Sequence, residues 1–249
     1  MKKLLIALLA VPLLAFANSG ELHLDTAPDK SNDLPALQNG AKLFVNYCLN
    51  CHSASYMRYN RLKDIGLSEQ QIKNNLLFTA EKTGELMRIA MQRDDAKAWF
   101  GAAPPDLTVI ARARASEVGS GSDWLYTYLR SFYRDPNRPT GWNNVVFENV
   151  GMPHVLWELQ GEQVAHFEEK DDGHGGKVKH FEKFELVKPG QLKPAEYDAA
   201  IGDLVAYLKY MGEPVGELRK SIGVVVLIFL SVLFVFAYAL KREYWKDIH

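Results

Sequence analysis

The two cysteines of this 249-residue chain lie three positions apart in the stretch NYCLNCHSASY, residues 46–56, and a histidine follows the second of them directly. A C-x-x-C pair can close a disulfide or carry out thiol–disulfide exchange. It can also supply half of a zinc site. With a histidine directly after the second cysteine, C-x-x-C-H is the signal for covalent attachment of haem.

The histidine favours haem attachment over the other two interpretations. Neither a disulfide nor a thiol oxidoreductase requires His52, and the sequence has no second cluster of cysteine and histidine that would complete a zinc site. In haem attachment, two thiols add to the two vinyl groups on one edge of the porphyrin. Three residues make nearly one helical turn, so the sulfurs of Cys48 and Cys51 leave the same face and His52 can bind the iron. We therefore predict one covalently bound haem c, with His52 as a metal ligand.

The far side of the iron can hold a methionine, a histidine, water or nothing. Methionine candidates after the first residue are Met57, Met87, Met91, Met152 and Met211. Met57 is too close to His52 to reach the far side of the ring. Met87 and Met91 have the i, i+4 spacing of a helix core, and Met211 ends a helix, where a methionine more commonly packs. Met152 lies between Gly151 and Pro153, which predict a rigid loop. Met152 is the predicted ligand and His154 the alternative; a thioether ligand favours an electron carrier over an oxygen-binding haem.

Two segments are predicted to form the helices that position this motif. In LPALQNGAKLFVNYC, residues 34–48, Gly40, Phe44 and Cys48 fall on one helical stripe. In EYDAAIGDLVAYLKYMG, residues 196–212, a second apolar stripe includes Tyr207; its other members are Ile201, Leu204 and Leu208. Gly40 lets Tyr207 cross closely. Two helices that cross at a glycine, one of them carrying C-x-x-C-H, resemble the class I cytochrome c fold, so we predict a mainly α-helical haem domain.

The two ends of the chain predict export and a membrane anchor. The first 17 residues have a basic start, an apolar run and a small-x-small end, which is the layout of a secretory signal. Residues 221–240 carry no charge, and at about 1.5 Å per residue they cover about 30 Å, the thickness of a bilayer core. Basic and aromatic residues flank this run. We predict a signal peptide at 1–17, a periplasmic haem domain at 18–220, a transmembrane helix at 221–240 and a cytoplasmic tail at 241–249.

Charge argues against a nucleic-acid partner. The net charge is −1, and removing residues 1–17, which contain two lysines and no acid, gives −1 − 2 = −3. The domain between the two ends has roughly two hundred residues, enough for one compact unit.

Two further segments have clear local patterns. Residues 157–187 have charged stretches on both sides of a turn signal at 171–176, and they predict a small β-hairpin insertion at the surface. Its histidines could bind a metal or, more commonly for a ribbon, stay solvated: His166, His174 and His180. Residues 120–139 predict a helix capped by Asp123, whose aromatic side chains belong to the core or to a cofactor wall.

The stretch GAAPPDLTVIARAR, residues 101–114, resembles cytochrome c1, the haem subunit of ubiquinol–cytochrome c reductase. The resemblance extends to YNRL at 59–62 and covers nearly the whole exported chain and its anchor. It implies that the PPDL segment, including Pro105, lines the haem and that Arg114 pairs with a haem propionate, with Arg112 as a competitor. Met152 falls where the family has its axial methionine. The extra disulfide pair of some relatives is missing here.

The resemblance also implies the partners and the activity. These are a cytochrome b subunit, the Rieske iron–sulfur protein as electron donor, a soluble or membrane-bound cytochrome c as acceptor, and the lipid bilayer of a bacterial inner membrane. No residue is predicted to be a catalytic acid, base or nucleophile, since quinol oxidation belongs to the partner subunits. The alternatives are another anchored cytochrome c that feeds an oxidase or a periplasmic dehydrogenase, and a periplasmic thiol–disulfide oxidoreductase.

Overall fold

The computed structural model describes residues 23–171 and 176–247, so the predicted signal peptide at 1–17 lies outside the described residues. In these two ranges the α-helices are α1 Leu34–Leu43, α2 Glu69–Asn75, α3 Arg93–Phe100, α4 Ile110–Ala113, α5 Gly121–Arg130, α6 Trp157–Gln160, α7 Pro194–Gly212 and α8 Gly216–Trp245. A π-helical turn at Phe44–Cys48 and a 3-10 helix at Tyr59–Ile65 complete the helical segments. The strands are β1 Ala54–Arg58, β2 Leu86–Met87, β3 Phe132–Arg134, β4 Trp142–Asn144, β5 Gly161–Asp171 and β6 Lys177–Pro189. The predicted mainly α-helical class, with small hairpins and one long C-terminal helix, is confirmed.

The crossing of α1 and α7 forms the centre of the domain. Helix α1 begins after Asp33, whose carboxylate accepts a hydrogen bond from the Ala36 amide. A Cβ atom on Gly40 would lie 2.1 Å from the carbonyl oxygen of Asp203 and 2.7 Å from Cβ of Tyr207, so only glycine fits this contact. The rings of Phe44 and Tyr207 then pack with their centroids 5.7 Å apart. The predicted crossing at Gly40 is therefore confirmed.

The strands form three separate antiparallel pairs, β1 with β2, β3 with β4, and β5 with β6. The β5–β6 pair is the hairpin predicted within residues 157–187. Most of its residues are exposed, and Nε2 of His166 lies 2.8 Å from a carboxylate oxygen of Glu185. His174 lies outside the described residues. In the described ranges, the hairpin included, no group of three or more His, Cys, Asp or Glu is placed to hold a metal ion.

Two local predictions were wrong. The GELMRIAMQR segment is not a helix: Met87 lies in β2, fully buried, and pairs with Ala54 of β1. The i, i+4 spacing of Met87 and Met91 was misleading because pairing with a distant strand decided the local structure. Asp123 is also not the N-cap of α5. That residue is Ser120, and Asp123 is its partner in a capping box, where each side chain accepts from the other's backbone amide.

Helix α8 has 30 residues, about 45 Å at the usual rise, and no buried residue. It contains the uncharged run 221–240, and its most apolar window has a mean hydropathy of 2.8. Such length and polarity suit a bilayer span. Only Glu213, Pro214 and Val215 connect α8 to α7, and Arg219 forms an ion pair with Glu213 across this connection.

Candidate haem site

The C-x-x-C-H motif lies directly after α1, where the helix widens and then turns. Residues Phe44–Cys48 form a π-helical turn, closed by a bond from the Leu49 amide to the Phe44 carbonyl (3.0 Å). The amides of Cys51 and His52 both donate to the Cys48 carbonyl, at 3.1 and 2.9 Å. This tight turn brings the two thiols and the imidazole back over the same end of the helix.

Both cysteines are free thiols, Cys48 buried and Cys51 half-buried. Burial, with a smaller contribution from nearby Cys51, raises the pKa of Cys48 to about 12. A thiol–disulfide oxidoreductase needs a stabilised thiolate and a lowered pKa. The environment of Cys48 is the opposite, which disfavours that alternative and fits a thiol that becomes a thioether.

The imidazole of His52 is held in one orientation. Its Nδ1 lies 2.8 Å from the carbonyl oxygen of Pro105, so Nδ1 is the protonated, donating nitrogen and Nε2 keeps its lone pair. Burial lowers the pKa of His52, although the Pro105 bond and the charge of Asp106 partly oppose this. His52 is thus neutral near pH 7, which a metal ligand requires, and its second nitrogen has the carbonyl partner typical of ligating histidines.

Asp106 fixes the position of Pro105, and the sequence analysis did not assign it a role. Its carboxylate accepts bonds from the Ser55 amide (2.7 Å), the Thr108 amide (2.9 Å) and the Thr108 hydroxyl (2.5 Å). The Leu107 amide donates to the Ser53 carbonyl (2.9 Å). Burial raises the pKa of Asp106, but these hydrogen bonds outweigh it, so that the pKa is lowered. The D-x-T spacing in PPDLT, a common local capping pattern, was the available signal.

Met152 lies in the irregular loop between β4 and α6, and its side chain is half-buried. The hydroxyl of Tyr128 donates to its sulfur at 3.5 Å. His154, the alternative ligand, is only 2% exposed, stacks on Phe132 with centroids 4.9 Å apart and meets the edge of Trp142. Burial lowers the pKa of His154 to about 4. His154 therefore packs inside the core, while the sulfur of Met152 lies nearer the surface.

Two asparagines that the sequence analysis did not single out hold this loop. Asn144, fully buried, donates to the carbonyl of Tyr128 (2.8 Å) and accepts from the amides of Val146 and Phe147. Asn143 accepts from the amide of Asn149 (2.8 Å). Asn149 has a φ of 61°, a left-handed conformation that asparagine tolerates better than most residues. The NN doublet before a Gly-Met-Pro loop is a weak signal, because its targets are distant backbone groups.

Arg114 lies at the end of α4, half-buried against aromatic rings. Its guanidinium carbon is 4.4 Å from the ring centroid of Trp124 and 5.9 Å from that of Phe147. Trp124 in turn stacks on Tyr128, with centroids 4.7 Å apart. In the two described ranges Arg114 forms no ion pair with a carboxylate. Arg112 is exposed, and its stem packs near Gly212, away from this aromatic wall.

The predicted residues thus form two groups. Cys48, Cys51, His52 and Pro105 meet at the end of α1, and Arg114 and Met152 meet through Trp124 and Tyr128. A separate cavity of about 1060 Å³ lies against the β5–β6 hairpin, and none of the predicted haem-binding residues lines it. The donor set suits a haem c: two free thiols, an imidazole with a free Nε2, a thioether and a cation without a carboxylate.

Comparisons with known proteins agree with this donor set. The chain matches the model described as "Cytochrome C1 family" over residues 26–248. It is 48% identical over 252 residues to "Cytochrome c1" of Allochromatium vinosum, covering 100% of both chains. It is also 48% identical over 248 residues to "Ammonia monooxygenase gamma subunit" of Nitrosomonas europaea, covering 100% of this chain and 98% of that protein.

A more distant relative is "Cytochrome c1" of Rhodospirillum rubrum, 30% identical over 234 residues, with 87% of this chain and 83% of that protein covered. The family match and the Allochromatium vinosum cytochrome c1 span the C-x-x-C-H turn, the Met152 loop and α8 together. The chain therefore belongs to the cytochrome c1 family, the membrane-anchored subunits of ubiquinol–cytochrome c reductase that carry one covalently bound haem c.

Proposed function

We propose that this chain holds its haem c through Cys48, Cys51, His52 and Met152, takes single electrons from a Rieske iron–sulfur protein and passes them to a cytochrome c. The observation that carries the proposal is the bond between His52 Nδ1 and the Pro105 carbonyl (2.8 Å), beside two free thiols. This bond leaves Nε2 as the only ring nitrogen able to bind a metal.

Each residue would have a separate role. Cys48 and Cys51 would form the two thioether bonds, and His52 Nε2 and Met152 Sδ would bind the iron. A bound haem supplies an iron that gains and loses one electron. Met152 would raise the reduction potential, because a thioether favours ferrous iron. Arg114 would neutralise a propionate, since it is a half-buried cation held by aromatic rings and without a carboxylate partner in the described ranges.

The rest of the chain supplies rigidity and a dry environment. The hydrogen bonds of Asp106 keep Pro105 beside His52, so the imidazole cannot rotate freely. Buried aromatic side chains, among them Tyr128 and Phe132, exclude water behind Met152. An environment that reorganises little between oxidation states is what electron transfer requires.

Membership of the cytochrome c1 family implies a complex with a cytochrome b and a Rieske protein. We propose further that the haem domain, residues 18–220, is periplasmic, and that the tail at 241–249 is cytoplasmic, with a soluble or membrane-bound cytochrome c as acceptor. The signal-like segment at 1–17 and the exposed apolar helix α8 support this orientation.

One relative suggests a second candidate function. The Nitrosomonas europaea protein is named as a subunit of ammonia monooxygenase and is as similar to this chain as the Allochromatium vinosum cytochrome c1 is. The C-x-x-C-H turn and the His52–Pro105 bond favour electron transfer by a haem in either complex. The two candidates therefore differ in the partner subunits and not in the cofactor.

Haem attachment is tested on the full chain purified from membranes. The parent protein and Asn50→Ala, a control between the two cysteines, should keep haem stain on a denaturing gel. Cys48→Ala and Cys51→Ala should lose most or all of it. Complete release of haem from the parent protein by acidic organic solvent would contradict thioether attachment.

The partner assignment is tested by mild-detergent purification of the tagged full chain. We expect a dihaem cytochrome b and an iron–sulfur subunit to co-purify, together with quinol–cytochrome c reductase activity. Co-purification of ammonia-oxidising subunits without a cytochrome b would overturn the assignment and leave the haem site itself unaffected.

A further inference from the structure

Tyr128 lies on the inner face of α5 and is buried, yet in the described part of the chain its hydroxyl has one partner, the sulfur of Met152 at 3.5 Å. A thioether is a weak hydrogen-bond acceptor, and buried hydroxyls usually pair with oxygen. A similar contact joins the Tyr207 hydroxyl to the sulfur of Met87 (3.8 Å) in the buried core. The Tyr128 contact is shorter, and its sulfur belongs to the half-buried Met152 that we propose as a ligand.

The surrounding contacts hold the ring in this position. Trp124 stacks on one side, with centroids 4.7 Å apart and planes at 15°. Phe132 packs edge-on with centroids 5.0 Å apart. Backbone contacts also fix the residue: its carbonyl accepts from Asn144 Nδ2 (2.8 Å) and from the amide and hydroxyl of Ser131 (3.2 Å each). A tyrosine hydroxyl moves only when its ring moves, so the oxygen stays beside Met152.

The same asparagine links the two partners. Asn144 donates to Tyr128 on α5 and accepts from two amides of the loop that leads to Met152. The helix and the loop therefore keep a fixed spacing. A thioether sulfur carries no hydrogen, so the Tyr128 hydroxyl is the donor in this pair.

We propose that Tyr128 is a positioning residue for Met152: its hydroxyl donates to one lone pair of Sδ. The other lone pair would stay available to bind the iron, and the sulfur would be a weaker electron donor. The proposal rests on the proposed function, in which Met152 is an axial ligand. A weaker donor stabilises ferric iron less, so the hydrogen bond raises the reduction potential. It also holds the sulfur in place against competing ligands.

The test uses the membrane-bound full chain and the variant Tyr128→Phe, which removes the hydroxyl and keeps the ring. The matched control is Tyr126→Phe on the same helix, where the ring packs under Arg130 and not near Met152. A net hydrogen bond is worth roughly a factor of two to ten in an equilibrium. At a fixed redox poise we expect the ratio of reduced to oxidised haem to fall about threefold in Tyr128→Phe and to stay unchanged in the control. Binding of added imidazole to the oxidised protein should become tighter by a similar factor.

A ring-fluorinated tyrosine at position 128 alone gives a second measurement that does not depend on tolerance of phenylalanine. Its phenol is a stronger donor, so the potential should rise, opposite in sign to Tyr128→Phe. An unchanged potential in both variants would overturn the proposal. Met152→Leu distinguishes failure of the Tyr128 proposal from failure of the Met152 assignment. If the far-red sulfur-to-iron band is lost in this variant, Met152 is the ligand and only the role of Tyr128 is refuted. If the band is retained, Met152 is not the ligand.

Discussion

The α1–α7 crossing and the β5–β6 hairpin hold two segments together in opposite ways. At the crossing, contact is so close that Gly40 has no room for a Cβ atom, and the surrounding side chains are buried. The hairpin pairs eleven residues of β5 with β6, but its side chains are mostly exposed and no residue of β6 is buried.

The hairpin is stabilised by its own ladder and by surface contacts. Phe167, Phe181 and Phe184 pack together, with centroid distances of 6.0 and 4.5 Å. The His166–Glu185 hydrogen bond and the Lys177–Glu169 ion pair lie at the surface, where each contributes little. The predicted haem-binding residues all lie outside the hairpin: Cys48 is buried, Pro105 is exposed, and the other four are half-buried. The difference between the two regions indicates that tight packing fixes atomic positions near the proposed haem site, whereas the hairpin does not need such packing.

The strongest test of this contrast is Met152→Leu. The change keeps apolar volume, so packing should lose little. We expect the reduction potential to fall by roughly 0.2 V, a quarter of the range of about 0.8 V that axial ligands cover. Redox titration followed by optical spectroscopy measures it, with Met211→Leu, a buried methionine at the end of α7, as control. If Met152→Leu keeps the reduction potential of the parent protein, another residue is the iron ligand.

Gly40→Ala is expected to have the next largest effect. The new Cβ would overlap the Asp203 carbonyl, which is backbone and cannot move aside. We expect a loss of about 3 kcal/mol in the free energy of unfolding of the haem domain, or failure to accumulate. The control is Gly84→Ala, where a Cβ would meet nothing within 4 Å. Equal stability of the two variants, measured by denaturant titration, would show that the crossing is looser than its geometry implies.

Asp106→Asn tests the network that holds Pro105 beside His52. Loss of the charge weakens three hydrogen bonds, and we expect a cost of about 2 kcal/mol at pH 7. Because the pKa of Asp106 is lowered in the folded protein, its carboxylate stabilises the fold at pH values above the ordinary aspartate pKa. This stabilisation is lost as the pH falls through the pKa of Asp106 in the folded state. The difference in unfolding free energy between parent and variant should therefore narrow below about pH 5. Asp94→Asn, on the exposed face of α3, is the control; a difference independent of pH would exclude the charge as the cause.

A smaller effect is expected for Arg114→Gln. Without the cation, a propionate beside it would be poorly neutralised, which favours the oxidised state. We expect the potential to fall by roughly 0.05 V, close to one tenfold change in the one-electron equilibrium. Arg112→Gln, two residues earlier and exposed, should leave the potential unchanged. If Arg112→Gln gives the larger shift, the propionate role belongs to Arg112.

The smallest effect belongs to the hairpin. Glu185→Gln removes the exposed pair with His166 and should cost about 0.5 kcal/mol or less. Denaturant titration of the haem domain measures it, and the reduction potential should not change. A loss as large as that of Gly40→Ala would mean that the hairpin is part of the cooperative core, which would remove the contrast between the two regions.

The features that could be predicted from the sequence are those in which a residue type or motif has one dominant structural or chemical role. The C-x-x-C-H motif, the uncharged run 221–240 and the glycine facing Tyr207 are of this kind, and their structural positions agree with the predictions. The Met152 loop was predicted from its flanking Gly151 and Pro153, and the structure has an irregular loop there. The ligand roles themselves stay predictions.

What the sequence did not predict depends on contacts between distant segments. Asp106 and Asn144 act on backbone groups tens of residues away or across a turn, and no local periodicity encodes such bonds. The π-helical turn at Phe44–Cys48 is hidden within an ordinary helical stripe. At Met87 a helix-like spacing was present in the sequence, but the segment forms a strand because it pairs with β1. The N-cap of α5 was assigned to Asp123 instead of Ser120 because both residues take part in the capping box.

The three-residue connection between α7 and α8 limits how far the haem domain can travel. Three extended residues span about 10 Å at most, and the Arg219–Glu213 pair shortens this reach further. Diffusion of this domain along the membrane normal is therefore confined to a layer about as thick as a single helix. Redox partners must approach the domain, so the rate of electron delivery depends on their mobility and local concentration, and lengthening the connection would enlarge the volume searched without altering the cofactor.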